Sequence, residues 1–322
     1  MVDPAFVLNA TYMNKVILGV QQGYNVTNLT NLDERKFKRS IAQAHSNEEI
    51  SFLIIGPSQI MTASKEAFPD TCSMLNLGMS ACRIEDYIAM YEICKEYNIS
   101  YKNIIIAIDP SLFNGSCEEK RWESNSLYYY RFFGKKDKSQ ISKIYAYIKN
   151  LFSLSYFQES WKMLMSSGLP EVKYTDIFEN ELSTYDANGS LTYGKKYRET
   201  PQSETDSLAL YWEHGTFMNY TEISHDKKEQ FEQLINALKS DSTKIYFAFC
   251  PYHPLFYPRL TNGYGFSKAV DYLYNYAQEN DIKIIGSYNP NEVGFDNTFY
   301  YDAAHARKVH INNMIREEFC DK

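Results

Sequence analysis

The most constraining stretch of this chain is Asn103 to Ile108, which reads Asn-Ile-Ile-Ile-Ala-Ile and is stopped by Asp109 and Pro110. A continuous apolar run of this length, bounded by turn residues, is the pattern of a buried strand. Ser51 to Ile55 has the same character and ends at Gly56 and Pro57; Ser73 to Leu77 is shorter and ends at Gly78. A helix-compatible segment follows Ser58, and Arg83 to Tyr97 carries apolar residues at helical spacing. Strand, helix, strand, helix, strand in this order is the βαβ pattern of a parallel sheet with right-handed crossovers. The pattern resumes with a helix over Asp226 to Lys239, a strand over Lys244 to Cys250, a helix over Phe266 to Asn280, a strand over Ile282 to Gly286 and a last helix to about Phe319. The expected fold class is α/β, with five parallel strands ending at Gly56, Leu77, Ile108, Cys250 and Gly286 and helices on both faces.

Between about residues 114 and 225 the alternation lapses into aromatic and charged helix-like pieces, among them the segment from Ile141 to Met165, and then into a polar stretch. This reads as a mainly helical insertion on the carboxyl edge of the sheet. Residues 1–45 read as a lead-in arm that includes a charged helix near Asp33 to His45, and residues 46–322 as one α/β domain. A formal net charge of -7 argues against a nucleic-acid partner, because neutralising phosphates needs a clustered excess of Lys and Arg. No run of about 18 apolar residues is present to span a membrane. The six cysteines lack metal-ligand spacing, and the six histidines are scattered, so no metal is expected. Cys72 and Cys82 bracket a strand and turn and can pair in an oxidising compartment.

Ser58 falls just past the Gly-Pro corner, at the sheet edge where open α/β folds place ligands, and is the candidate nucleophile. It is equally placed to cap the helix expected after it. Near the other end of the chain, Asp302 and His305 are three residues apart, close enough for an aspartate on a turn to hold one imidazole nitrogen and leave the other to take the Ser58 proton. Ser, Asp, His is one of the known chain orders of a hydrolytic triad. A surface histidine beside a helix-capping aspartate has the same spacing. His253 follows the fourth strand at the same edge, where it can touch substrate or hold a proline-flanked turn. Arg83 can meet an anionic sugar or phosphate, or lie on a helix surface. The insertion's aromatic residues can wall a groove over Ser58 or pack against the sheet.

Gly56-Pro57-Ser58-Gln59, Asn76-Leu77-Gly78-Met79-Ser80, Ile108-Asp109-Pro110-Ser111 and Tyr301-Asp302-Ala303-Ala304-His305, in that order, resemble the motif blocks of the SGNH (GDSL-like) hydrolase superfamily, in the divergent branch found with bacterial cell-surface polysaccharide and teichoic-acid systems. The likeness covers roughly residues 46–320, without the insertion. It implies a flavodoxin-like three-layer α/β/α sandwich and a serine esterase or O-acyltransferase acting, often through acetyl groups, on a carbohydrate hydroxyl. Ser58 is then the nucleophile, His305 the base and Asp302 its partner, with the backbone N–H groups of Ser58 and Gly78 as oxyanion donors. The third block departs from the family's Gly-x-Asn-Asp: Ser111 stands nearest the Asn that supplies a third donor, and Asp109 beside it repels an oxyanion if it faces inward. The alternative implied by that departure is a glycan-binding or assembly protein that has lost turnover. Asp3-Pro4, Asn25 and Glu34-Arg35 resemble the lead-in of members that begin with a membrane anchor, which implies an extracytoplasmic location, an anchor left off this chain and a membrane-bound acyl-transfer partner. No cofactor is implied.

Overall fold

The computed structural model describes residues 10–29, 32–136, 172–212 and 219–320. In chain order the strands among them are β1 (Asn25–Thr27), β2 (Glu49–Ile55), β3 (Met74–Asn76), β4 (Ser100–Ala107), β5 (Lys173–Thr175), β6 (Thr184–Tyr185), β7 (Leu191–Thr192), β8 (Lys244–Phe249) and β9 (Lys283–Gly286). Five of them form one parallel sheet in the order β3-β2-β4-β8-β9. This is the doubly wound order in which the chain reverses its direction of travel between β2 and β4, and ligands of such sheets bind outside the strand ends at that reversal. The expected α/β/α sandwich is the fold observed.

Alternation along the strands divides the core into two layers. Leu53, Ile55, Ile104, Ile106, Phe247 and Phe249 face one side, where they pack with residues of helices Ile84–Glu96, His225–Ser240 and Tyr264–Glu279. Phe52, Ile54, Ile105, Ala107, Tyr246 and Ala248 face the other, against Ile311, Met314 and Ile315 of helix Lys308–Phe319. The runs are apolar throughout because both faces are covered. β4 starts three residues ahead of the apolar run, since Ser100 and Tyr101 pair with Glu49 and Ile50 at the exposed end of β2.

Two sequence expectations need correction. No α-helix follows Ser58: the chain crosses to β3 through two short 3-10 turns, Ser58–Ile60 and Lys65–Ala67. The cause is the buried Asn76, whose Nδ2 donates to the carbonyls of Ile60 (3.0 Å), Met61 (3.3 Å) and Ala63 (2.9 Å), acceptors that an α-helix would have used for its own ladder. The described part of the insertion also contains strands: β5, β6 and β7 join β1 of the lead-in arm in a second, antiparallel sheet in the order β5-β1-β6-β7. The helical pieces expected between Ile141 and Met165 lie outside the described residues.

Within the first 45 residues, the described stretches 10–29 and 32–45 are integral to the fold. Helix Glu34–Ala44 starts at Asp33, whose Oδ1 accepts from Lys36 N–H, and it buries Phe37 and Ile41 together with two charges. Arg35 forks onto Asp86 through Nε (3.1 Å) and Nη2 (3.0 Å). Lys38 donates to the carbonyls of Asn76 (3.1 Å) and Gly189 (2.6 Å), and burial pushes its ammonium down to about 8. The helix therefore ties β3 to the loop between β6 and β7. All six cysteines, Cys72 and Cys82 included, are free thiols. Among the described residues no helix is long and apolar enough to cross a membrane.

Candidate active site

Ser58 owes its position to Gly56. Gly56 has φ 153°, and a Cβ there would lie 2.6 Å from Ala107 Cβ and 2.7 Å from Ala107 O, so only glycine lets β2 turn this close to β4. Pro57 then holds an extended conformation, and Ser58 begins the 3-10 turn at the strand reversal.

From the far end of the chain, the loop before helix Lys308–Phe319 brings His305 to the same edge. Ser58 Oγ lies 2.7 Å from His305 Nε2 across a separation of 247 residues. The other ring nitrogen, Nδ1, lies 2.8 Å from Asp302 Oδ2 and 3.0 Å from Oδ1. The tautomer that satisfies both contacts has Nδ1–H donating to Asp302 and Nε2 accepting from the serine hydroxyl. Asp302 Oδ1 also accepts from the backbone N–H groups of Ala304 (2.8 Å) and His305 (2.9 Å), so the aspartate organises its own turn. His305 lies in the loop ahead of the final helix.

Charge follows geometry. Burial alone would raise the Asp302 carboxyl, but the His305 charge, its Nδ1–H, the Tyr197 hydroxyl and the Ala304 N–H together hold it well below the usual carboxylate range. Burial would lower His305; the Asp302 charge and hydrogen bond, with Asp109 further off, raise it above its ordinary value.

Ser58 and His305 open on a pocket of about 190 Å³, lined also by Ala81, Cys82, Asp109, Ser111, Trp212, Tyr252 and Phe256. Trp212 comes from the insertion, so at least this aromatic ring walls the groove. Asp109 faces the pocket with both oxygens engaged: Oδ1 accepts from Ser111 N–H (2.8 Å) and Oδ2 from Tyr252 OH (2.8 Å). Ser111 lines the pocket too, with its amide already committed and its hydroxyl left to offer.

Three expected roles do not match these positions. Gly78 N–H donates to Asn76 Oδ1 at 2.9 Å and is thereby spent; a Cβ at Gly78 would lie 3.0 Å from that same oxygen, so its glycine serves the Asn76 contact. The backbone that reaches the pocket after β3 is Ala81, held at φ 45°, a left-handed conformation uncommon outside glycine. Among the described residues neither Ser58 N–H nor Ala81 N–H is engaged by an acceptor. Arg83 is neither a surface charge nor a pocket cation: it is buried, donating to the carbonyls of Ser111 (2.7 Å), Leu112 (3.3 Å) and Asn114 (2.8 Å). It therefore supports the third block from behind.

His253 is fully buried away from the pocket, its Nδ1 accepting from Leu255 N–H at 3.1 Å and its ring 5.0 Å from that of Tyr300. Its Nε2 lies 3.3 Å from Asp206 Oδ1 but is poorly aligned for a hydrogen bond, and burial lowers its proton affinity. His253 is the structural member of its two readings.

The sequence reading missed Tyr197. On the short helix Lys195–Arg198 of the insertion, its hydroxyl donates to Asp302 Oδ2 and lies 3.4 Å from His305 Nδ1. Nothing local distinguishes it from the chain's 27 other tyrosines, given 28 in all. Among the described residues no group of three or more His, Cys, Asp or Glu side chains converges as metal ligands do. No protein-family model matches the chain, and no curated protein matches it significantly.

Proposed function

We propose that this protein is a serine-dependent acyl-transfer enzyme, an esterase or O-acyltransferase whose substrate is an acylated carbohydrate of a bacterial surface polysaccharide. The observation that carries the reading is the contact of Ser58 Oγ with His305 Nε2 at 2.7 Å, with Asp302 on the opposite nitrogen, at the mouth of a largely apolar pocket. The resemblance of the four motif blocks to SGNH hydrolases supports the carbohydrate-ester substrate and the extracytoplasmic, membrane-associated setting.

In this mechanism Ser58 Oγ attacks the ester carbonyl carbon while its proton passes to His305 Nε2. The oxyanion is met by Ser58 N–H and Ala81 N–H, with the Ser111 hydroxyl as third donor. His305 returns the proton to the leaving hydroxyl, and the acyl group stays on Ser58. Water or a sugar hydroxyl then attacks the acyl-serine, gives its proton to His305, and Ser58 leaves with that proton restored. Asp302 holds the tautomer throughout.

A specific observation favours a second reading. Asp109 lines the pocket beside Ser111, the residue nearest the family's amide donor, and a carboxylate there opposes oxyanion formation; a glycan-binding or assembly protein without turnover would tolerate it. Incubation with p-nitrophenyl acetate, with and without an acceptor oligosaccharide, separates the two. The enzyme accumulates an acyl adduct on Ser58 visible by peptide mass spectrometry, and acyl transfer to the oligosaccharide separates transferase from esterase. Absence of adduct and of p-nitrophenol release from every acyl ester tried leaves the binding protein.

A further inference from the structure

We propose that Tyr197 is a positioning residue of the triad, holding Asp302 Oδ2 through its hydroxyl and so restraining how strongly the carboxylate pulls on the His305 imidazole. The kinetic part of this inference rests on the acyl-transfer reading above; the structural part does not.

Asp302 Oδ1 has two backbone donors, Ala304 N–H and His305 N–H, as well as a share of His305 Nδ1–H. Oδ2 has only Nδ1–H and Tyr197 OH. Tyr197 is therefore the one group besides the imidazole that fixes the plane of the carboxylate at Oδ2 among the described residues. A hydroxyl donor on a carboxylate spreads its charge, so Tyr197 and His305 compete for the same oxygen.

The phenol is held in place independently of this contact. Its ring packs on Tyr193 at 4.5 Å and on Tyr301 at 5.2 Å. Its helix is anchored by Arg198, which donates to the carbonyls of Tyr193 (2.8 Å) and Asn180 (3.3 Å). Arg307, in the loop that carries the triad, donates to Arg198 O at 2.9 Å and lies over the Tyr301 ring. The insertion and the triad loop are thus clamped together on both sides of the hydroxyl. The other titratable or charged groups facing the pair are Asp109 across the pocket, His253 behind Asp302, and Tyr193, whose ring lies 6.3 Å from that of His305. Among the described residues none of these donates to Asp302 Oδ2.

The test is an NMR titration of the His305 imidazole in the substrate-free protein, wild type against Tyr197→Phe, which keeps the ring and removes the donor. Losing the donor concentrates charge on Oδ2, so the His305 midpoint rises, by roughly half a unit to one unit. Replacing Tyr197 with 3-fluorotyrosine, a stronger donor of nearly the same shape, moves the midpoint the other way. With an ester substrate, the phenylalanine variant loses about three- to tenfold in kcat with KM little changed, and its acid limb follows the NMR midpoint. A midpoint that is unchanged or lower in Tyr197→Phe overturns the proposal. Should that variant fail to fold, the fluorotyrosine protein decides alone, and an unmoved midpoint overturns it equally. If wild type shows no acyl transfer while both midpoints move as stated, the proposed function fails and the role of Tyr197 stands.

Discussion

The two halves of the candidate site are held by different means. Ser58 rests on the sheet: a glycine with no room for a side chain, a proline, and a turn whose carbonyls are gathered by Asn76 from the end of the neighbouring strand. Asp302 and His305 sit on a loop, and what holds them is polar and partly borrowed, from backbone N–H groups of their own turn and from a tyrosine of the insertion. The first half is coupled to the stability of the whole domain. The second is held without the sheet, so its charge and orientation should be alterable while the sheet stays intact.

The largest effect should come from removing the groups where the halves meet. Ser58→Ala and His305→Ala should each abolish nearly all acyl transfer, and the double variant should be little worse than either, because the members act as one unit. A double variant slower by the product of the single losses would break the idea of a shared site. Next, Asp302→Asn should cut kcat by about 10³- to 10⁴-fold through the wrong tautomer, with folding preserved. The pH-rate profile carries its own sign. His305 must be neutral to take the proton and is raised above 6.5, so wild-type activity should fall on the acid side with a midpoint above 6.5, and Asp302→Asn should bring that midpoint down. Stability runs the other way. The raised His305 contributes fully below its unfolded value of 6.5, and the contribution is lost as pH rises through its folded value. The lowered Asp302 contributes above its unfolded value of 3.8, and that is lost as pH falls through its folded value. The pair therefore stabilises most between 3.8 and 6.5, where His305 is charged and cannot act as base.

On the sheet side, Asn76→Ala leaves buried carbonyls of the Ser58 turn without that donor and should cost ~2–3 kcal/mol in urea unfolding. Retained stability with lost activity would show that Asn76 serves the chemistry and not the scaffold. The smallest effect belongs to Ser111→Ala, about tenfold in kcat if its hydroxyl meets the oxyanion. An unchanged rate would leave Ser58 and Ala81 as the only donors.

How far the sequence discloses these features depends on whether the signal is local. The runs in β4 and β8 are readable because burial on both faces forces Ile and Phe at consecutive positions. Asp302 and His305 are readable because three residues of spacing decide whether they meet. β6 and β7 have two residues each and no run to read; their pairing depends on partners far along the chain. Arg83 and His253 are correctly placed at the carboxyl edge, yet position on an edge does not say which way a side chain points, and both turn inward. Ala81 contributes a backbone amide, to which residue type is almost silent, so the neighbouring Gly78 drew the expectation instead. Tyr197 is recognisable only once its short helix is folded against the loop of Asp302 and His305.

The second sheet sets the order of assembly. Val26 of β1 pairs with Tyr174 and Tyr185, and Thr27 Oγ1 donates to Ser183 O across 156 residues. At ribosomal speeds of ~5–20 residues per second, β1 waits roughly ten to thirty seconds after synthesis for those partners to emerge. During that interval helix Glu34–Ala44 cannot complete its Lys38 contact with Gly189, while Arg35 can already fork onto Asp86. Contacts of such long sequence separation slow folding by delaying their reward until the loop is closed. Asp302 and His305 emerge later still, so the half of the site that leans on Tyr197 is the last to be finished as the chain is made.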